Sequence, residues 1–295
     1  MPRHIIEFFW KPGHSWSPTE RLQVSEELRS IARECFGSVP EYQCLAKTEA
    51  AFNDKLVVIA RERTTRKAIA FTSAILLHVD GVEAQTIVHT GLTCILPQNQ
   101  GQGLTHLLFG ELALHLFDEF KYGIWFSNLA AVPSSLVNVG KSARDPFPFH
   151  KACAPHPVHI HIAQMISENY RSDMNVSEHA VFDYQTFVMK DAKNSESPML
   201  KDPKDPKIQH RDVTMNGFYH KLLEGKGSEV LQIGFWDPIY IHPALAWKTK
   251  DWRHIQILLK NQPAYLVHRF GLRALALVLV LLLFGILSLL KPKSG

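Results

Sequence analysis

The feature that most constrains the fold is the segment 92–109, where a β-rich run stops at Pro97 and an apolar-periodic helix follows a turn with Gly101 and Gly103. The first N–H groups of a helix have no internal partner, and the helix dipole adds partial positive charge there. Glycine lets the backbone approach a bulky ligand because no Cβ stands in the way. A strand, a glycine turn and a helix N-terminus together predict an anion-binding site.

The turn has the pattern Gln98-x-x-Gly101-x-Gly103. It resembles the coenzyme A diphosphate loop of the GNAT superfamily of acyl-CoA-dependent N-acyltransferases, which follows the fourth strand of their fold. A Rossmann loop needs a glycine where His106 stands, and a P-loop needs a lysine that Gly103-Leu104-Thr105 lacks.

The resemblance covers residues 5–190 and implies that the chain uses acetyl-CoA or another acyl-CoA as cosubstrate. It places the binding residues at the end of the fourth strand, in the loop and in the first helical turn. These residues are Cys94, Ile95, Gln98, Gln100, Gly101, Gln102, Gly103, Leu104 and Thr105.

Apolar periodicity predicts an α/β domain with a mixed, mostly antiparallel sheet flanked by helices. Ser17-Pro18-Thr19-Glu20 is a capping box that begins the first helix. The element order β-α-α-β-β-β-α-β is that of the GNAT core. The predicted strands are 4–9, 56–61, 68–79, 85–96, 124–130 and 181–189.

Changes in composition divide the rest of the chain. We predict a GNAT-like acyltransferase domain over 1–190 and an exposed polar linker or loop over 191–211. The segment 212–269 is a C-terminal extension of the domain that either completes the sheet or covers the acceptor cleft. A transmembrane helix is predicted over 270–290.

Transfer of an acyl group to an amine requires a polarised thioester and a base. The resemblance implies that a backbone N–H near Cys94 and Ile95 polarises the thioester. His89, on the same strand, is the first candidate for the base, and Glu83 is the second. The alternative for His89 is a structural histidine in the core or at a sheet edge. The alternative for Glu83 is an ordinary carboxylate in a turn.

A proton donor for the leaving thiolate is harder to assign. The family often has Asn-Pro at the start of the following helix and a tyrosine within it, and here Val132-Pro133 and Val139 stand at those positions. Tyr184 is a candidate for this catalytic role. The alternatives are that the thiolate leaves unassisted or that transferase activity has been lost.

Two other kinds of site are weighed and set aside. His150, His156, His159 and His161 crowd a proline-containing stretch around Cys153. His159-x-His161 would share one face of an extended segment, which suits a metal, but no carboxylate joins them. A loop is the preferred interpretation, and no metal is predicted. The net charge of +4 forms no stripe, so no nucleic-acid partner is expected.

The segment 270–290, FGLRALALVLVLLLFGILSLL, is apolar and as a helix would span about 30 Å, the thickness of a hydrocarbon core. Trp247 and Trp252 approach it, as interfacial aromatics commonly do. Six upstream basic residues outnumber Lys291 and Lys293, so the positive-inside rule predicts a single-pass protein of the endoplasmic reticulum membrane with a cytosolic N-terminal domain. The six are Lys248, Lys250, Arg253, Lys260, Arg269 and Arg273.

Three functions follow from these features. The first is a membrane-anchored acyltransferase that modifies an amine or hydroxyl of a small or lipophilic acceptor. The second is a non-catalytic acyl-CoA-binding protein with a GNAT-like fold, which the residues at Val132 and Val139 favour. The third is a tail-anchored scaffold in which the glycine loop is only a turn.

Overall fold

The computed structural model describes residues 3–152, 154–225, 227–271 and 280. The strands are β1 (His4–Trp10), β2 (Lys55–Glu62), β3 (Ala68–His78), β4 (Thr86–Ile95), β5 (Ile124–Ala130), β6 (Arg144–Phe147), β7 (Val181–Asp183), β8 (Val188–Lys190) and β9 (Glu229–Trp236). The helices are α1 (Pro18–Phe36), α2 (Leu104–Glu119), α3 (Pro133–Lys141), α4 (Pro157–Asn169), α5 (Val213–Leu222), α6 (Pro238–Thr249) and α7 (Arg253–Phe270).

The strands form one sheet in the order β1-β2-β3-β4-β5-β9-β8-β7, with β6 paired to β9. Within the described residues, β4 and β5 are the one parallel pair, and the other pairs are antiparallel. The predicted α/β class with a mixed, mostly antiparallel sheet flanked by helices is therefore confirmed.

Helices α1 and α2 cover opposite faces of the sheet. Glu7 of β1 pairs with Arg61, which also pairs with Glu27 of α1. The next residue, Phe8, stacks on His115 of α2 with ring centroids 3.9 Å apart. Adjacent residues of a strand point to opposite faces, so these contacts place the two helices on different sides.

The capping box that begins α1 is confirmed. The backbone N–H of Glu20 donates to Ser17 Oγ at 3.3 Å, and the backbone N–H of Ser17 donates to Glu20 Oε2 at 2.8 Å. The prediction of a second helix between α1 and β2 is wrong. Two short 3₁₀ turns, Gln43–Leu45 and Glu49–Phe52, connect α1 to β2 instead. A positive φ of 51° at Gln43 is incompatible with a continuous right-handed helix.

The single strand predicted over 181–189 is a hairpin made of β7 and β8. Asp183 Oδ1 accepts backbone hydrogen bonds from Gln185 at 2.9 Å and Thr186 at 3.3 Å. Phe187 then adopts a φ of 57°. An aspartate that binds the backbone two residues on, followed by a left-handed residue, reverses the chain.

The segment 212–269 contributes directly to the sheet. Strand β9 lies between β5 and β8, with pairs from Ile124–Trp236 to Ala130–Val230. Of the two interpretations given above, completion of the sheet is the one observed for β9. It makes the C-terminal part of the chain integral to the fold around β5.

Among the described residues, no helix has the length and hydropathy needed to cross a membrane. The predicted span over 270–290 lies outside them, apart from Phe270, Gly271 and Val280. The span therefore stays a prediction.

Candidate active site

The candidate site begins where β4 and β5 separate. Their parallel pairing runs from Ile87–Trp125 to Thr90–Asn128 and stops there, although β4 continues to Ile95. Two residues of β4, Gly91 and Leu92, lie opposite the single residue Ser73 of β3. Such a bulge bends a strand and increases its twist. Beyond position 90, β4 therefore presents backbone groups toward β5 without a strand partner.

The glycine loop lies at the end of this opening. Gly101 and Gly103 have φ angles of 74° and 75°, a conformation that glycine adopts without strain. A Cβ at either position would meet nothing within 4 Å, so the loop faces open space. Each glycine thus supplies both a turn and an unobstructed backbone.

The backbone donors of this loop are available to a ligand. Among the described residues, no hydrogen bond is made by the backbone N–H groups of Gly101, Gln102, Gly103, Leu104 and Thr105. No side chain caps α2 at its N-terminus. Five successive donors beside the positive end of a 16-residue helix are an arrangement suited to an anion, which makes this loop the candidate site.

The remaining predicted loop residues build the frame of this site. The side-chain amide of Gln100 donates to Ile95 O, and that of Gln102 donates to Gln98 O, both at 3.4 Å. Leu104 is buried in the core below the loop. These contacts tie the loop to β4 and α2.

Cys94 and Ile95 lie at the end of β4, beside the loop. Cys94 is buried, and its thiol hydrogen-bonds with that of Cys35 on α1. This bond and burial raise the pKa of Cys94. Cys35 Sγ also donates to Ile95 O at 3.4 Å. The Cys94 side chain therefore packs toward α1.

His89 lies on the paired part of β4 and is fully buried. Its Nδ1 is 2.9 Å from Ser127 Oγ, and its Nε2 is 3.4 Å from the hydroxyl of Tyr42. Burial, with a smaller contribution from the charge of Lys193, lowers the pKa of His89 to about 3. The imidazole is therefore neutral near pH 7 and weakly basic.

Two residues beside His89 were not identified from the sequence. The Tyr42 hydroxyl accepts from the side-chain amide of Gln43 at 3.4 Å, and Gln43 Oε1 accepts from Ser73 Oγ at 3.0 Å. Burial, with the nearby charge of Glu229, raises the pKa of Tyr42, so its hydroxyl keeps its proton. A buried hydrogen-bonded series of side chains, Ser73–Gln43–Tyr42–His89–Ser127, thus passes beside Gly91, the first residue of β4 beyond its pairing with β5.

A buried ion pair lies close enough to affect His89 electrostatically. Lys193 Nζ is 3.1 Å from Glu229 Oε2, and it donates to the backbone carbonyl of Asn175 at 2.6 Å. Burial raises the pKa of Glu229, and the charge of Lys193 opposes that shift. Although Lys193 belongs to the segment interpreted as a polar linker, it is 7% exposed.

A further polar residue, Asn128, lies on β5 at the last position that pairs with β4. Asn128 Oδ1 accepts from Thr90 Oγ1 at 3.3 Å. Its Nδ2 is buried and makes no hydrogen bond to a described residue. An unpaired buried donor is energetically costly, so a ligand carbonyl or water in the opening would stabilise it.

The other two predicted catalytic residues lie elsewhere. Glu83 precedes β4, at the end of the strand opposite the opening, and its carboxylate is 3.2 Å from His268 Nε2. Tyr184 lies in the turn that follows β7 and is 41% exposed. Four strand spacings separate β7 from β4, which is about 19 Å. The structure therefore places His89 on β4 and the loop after the C-terminal end of that strand, whereas Glu83 lies beyond its other end and Tyr184 lies four strands away.

The histidine-rich stretch, interpreted above as a loop, contains a helix instead. His159 and His161 lie on α4, and residues two apart on a helix do not share a face. His159 Nε2 is 2.8 Å from Asp145 O, and His161 Nε2 is 2.6 Å from Asp80 O. Among the described residues, no three His, Cys, Asp or Glu side chains form a group that could hold a metal ion.

Comparisons with known proteins give distant likenesses. No family model and no curated protein matches the chain. The GCN5-related glucosamine N-acetyltransferase region of a fungal multi-domain GH3 β-N-acetylglucosaminidase is 16% identical over 43% of this chain, with a TM-score of 0.31. The match spans 14% of the length of that protein.

Two further solved structures are similar to about half of the chain. A GNAT family N-acetyltransferase from Escherichia coli in complex with CoA is 17% identical over 47% of this chain and 68% of its own length, with a TM-score of 0.30. NAA60 from Arabidopsis thaliana in complex with acetyl-CoA is 15% identical over 48% of this chain and 85% of its own length, with a TM-score of 0.34. Likenesses this distant assign no residue and no substrate.

Proposed function

We propose that this protein is an acyl-CoA-dependent acyltransferase that acts on an amine or hydroxyl. The observation that carries the proposal is the set of unpartnered N–H groups over 101–105, directly beyond the separation of β4 from β5. A diphosphate bound at the loop would leave a pantetheine arm to enter between the two strands. The thioester would then lie beside the unpaired backbone of β4, where an N–H group can stabilise the developing oxyanion.

In this proposal the acceptor arrives on the face lined by Tyr42, Gln43 and His89. Because His89 has a pKa of about 3, it cannot efficiently remove a proton from an ammonium group. The acceptor therefore reacts as a free amine or a hydroxyl. The protonated Tyr42 hydroxyl is suited to donate a hydrogen bond to the ligand, and His89 orients it by donating Nε2–H to the hydroxyl oxygen while Nδ1 accepts from Ser127 Oγ.

A second function is favoured by a specific observation. The Gln43 side chain fills the space beside Gly91, and Val139 is buried at the position that the resemblance assigns to a tyrosine. A site without that tyrosine and with Gln43 beside β4 fits a protein that binds acyl-CoA without turnover. The third function, a scaffold with a structural turn, requires that coenzyme A does not bind.

Two measurements on the full chain separate these functions. Titration with acetyl-CoA tests the loop, and release of free thiol in the presence of a broad amine panel tests transfer. Binding with thiol release supports the acyltransferase, whereas binding alone identifies the second function. If acetyl-CoA does not bind, the loop assignment is wrong and the scaffold remains.

We further propose that residues 270–290 anchor the protein in the endoplasmic reticulum membrane with the folded domain in the cytosol. Support comes from the apolar composition of the segment and from the excess of upstream basic residues. Protease added outside intact microsomes should digest the domain. A fully protected domain, or glycosylation of Asn175 in the Asn-Val-Ser sequon, would reverse this topology.

A further inference from the structure

The hairpin of α6 and α7 forms an outer layer over α2. On the inward side, the ring of His242 packs against Phe117 at 4.8 Å between centroids. Asn261 Nδ2 donates to Phe117 O at 3.2 Å, and Arg253 pairs with Glu111 of α2 at 2.6 Å. These contacts fix which face of each helix points away from the protein.

The outward face of this hairpin is apolar. On α6, exposed side chains recur three or four residues apart at Tyr240, Pro243 and Trp247, and such residues share one face of a helix. Trp252 is the N-cap residue directly before α7, and Leu259 lies two turns further along. Trp247, Trp252 and Leu259 are 74%, 68% and 62% exposed. A cluster of exposed apolar side chains of this kind commonly marks an interaction site.

Basic charge surrounds these aromatic side chains. The segment 238–270 contains five Lys or Arg residues and a single acidic residue, Asp251. Lys248, Lys250 and Arg269 make no salt bridge with described residues, and Lys250 Nζ lies 4.0 Å from the ring centroid of Trp247. Tryptophan beside lysine matches the interfacial zone of an anionic bilayer, where rings and ammonium groups both find partners.

The position of the hairpin in the chain supports the same occupant. Helix α7 ends at Phe270, the first residue of the apolar segment 270–290. Its 18 residues extend about 27 Å. If that segment enters a bilayer, the end of α7 is held at the membrane surface and the exposed face of the hairpin lies within reach of it.

We propose that the α6–α7 hairpin is an interfacial membrane-docking surface that lies on an anionic bilayer, with Trp247 and Trp252 inserted at the headgroup level. The inference rests on the membrane attachment proposed above and extends it. The segment 270–290 supplies the anchor, whereas the hairpin orients the folded domain on the surface. The domain is thereby held against the membrane rather than suspended from a flexible tether.

The test uses the full chain reconstituted with vesicles of phosphatidylcholine and phosphatidylserine whose acyl chains are brominated near the headgroup. Bromine quenches tryptophan emission on contact. We expect quenching in the wild-type protein and loss of most of it in Trp247→Phe/Trp252→Phe. Trp10→Phe, which removes another exposed tryptophan, is the matched control and should keep the quenching. Equal quenching in the double variant would overturn the proposal.

A second arm tests the charges. Lys248→Gln/Lys250→Gln should reduce quenching severalfold on vesicles with phosphatidylserine and leave it unchanged on pure phosphatidylcholine. Equal quenching on the two lipids in the wild-type protein would contradict an anionic surface as the partner.

Extraction with alkaline carbonate separates failure of the anchor from failure of the docking surface. A protein that resists extraction but is not quenched has its anchor without its docking surface, which overturns the inference and points to a protein partner for this face. A protein that is extracted yet quenched docks through the hairpin although the anchor fails. Thiol release, measured separately, reports the proposed transfer reaction in either case.

Discussion

The side-chain carbonyl of Gln43 occupies the space beside Gly91, where an ideal Cβ would lie 2.3 Å from Gln43 Oε1. Because Gly91 has no side chain, Gln43, which follows α1 in the chain, can approach the bulge of β4. Gln43 itself has a positive φ of 51°, which costs free energy in a residue with a Cβ. The close approach therefore depends on the absence of a Cβ at Gly91 and on the positive φ of Gln43.

This relationship predicts a coupled stability change. Gly91→Ala should lower the free energy of unfolding by about 1–3 kcal/mol because Gln43 must move. In a Gln43→Gly background the same change should cost little, since the clashing side chain is gone. A double-mutant cycle in urea measures the coupling. Additive effects of the two changes would show that the contact is not maintained.

The loop prediction concerns affinity. Replacement of Gly101 and Gly103 by valine should weaken acetyl-CoA binding by more than about tenfold, or about 1.4 kcal/mol, because Cβ branches would obstruct the backbone donors. The measurement is calorimetric titration. Gly81→Val is the matched control: it has a similar φ of 75° but lies in the turn before β4, away from the opening. Wild-type affinity in a folded double variant would remove the loop from the site.

The role of His89 is tested by turnover. His89→Ala should lower turnover about 100-fold and leave coenzyme A affinity nearly intact, because in the proposed function the residue orients Tyr42 on the acceptor side. Tyr42→Phe should have a similar effect, and the double variant should lose no more, since the two residues act through one hydrogen bond. Partial rescue by His89→Gln indicates positioning, whereas equal losses in Ala and Gln variants indicate a base.

The buried pair Lys193–Glu229 should be critical for stability. Removal of one partner leaves an uncompensated charge, so Lys193→Met should cost about 3–5 kcal/mol in the free energy of unfolding. Lys193→Met/Glu229→Leu should recover most of that loss because neither charge remains. Lys190→Met, an exposed change on β8, provides the control. Denaturation midpoints at constant m-value decide the outcome.

Acid should destabilise the protein through His89. The folded pKa of about 3 lies below the ordinary value of 6.5, so the unfolded state binds a proton that the folded state does not. The stability contributed by neutral His89 is complete above pH 6.5 and declines as the pH falls toward 3, by up to about 5 kcal/mol. His89→Asn should lower the slope of stability against pH by about 1.4 kcal/mol per unit between pH 4 and 6. An unchanged slope would contradict burial of the neutral ring, and the exposed His14→Asn serves as control.

The loop was predictable because its information is local. Gly101, Gly103 and the start of α2 adjoin in sequence, and their backbone geometry follows from residue type. The placement of His89 on β4 was predictable for the same reason. Its burial was not, because Tyr42 comes from a segment far earlier in the chain and meets His89 only through tertiary packing.

Polar composition misled the interpretation of other segments. A lysine among polar neighbours predicts exposure, yet Lys193 finds Glu229, which lies 36 residues later on β9. Likewise, histidines and prolines near 150–161 predict a loop, whereas a proline at the first position of α4 begins a helix. The partner of Lys193 is distant along the chain, and periodicity carries no information about it, whereas the signal that begins α4 is local.

During synthesis, the edge of β5 that β9 covers in the folded protein is exposed for a time. β5 ends at Ala130 and β9 begins at Glu229, so about a hundred residues must be made before the β5 edge can be covered. At ribosomal rates of about 5–20 residues per second, that edge stays open for roughly 5–20 s. An uncovered strand edge is a template for pairing with other chains. We therefore expect stop codons in this interval to yield insoluble products rather than a smaller working domain.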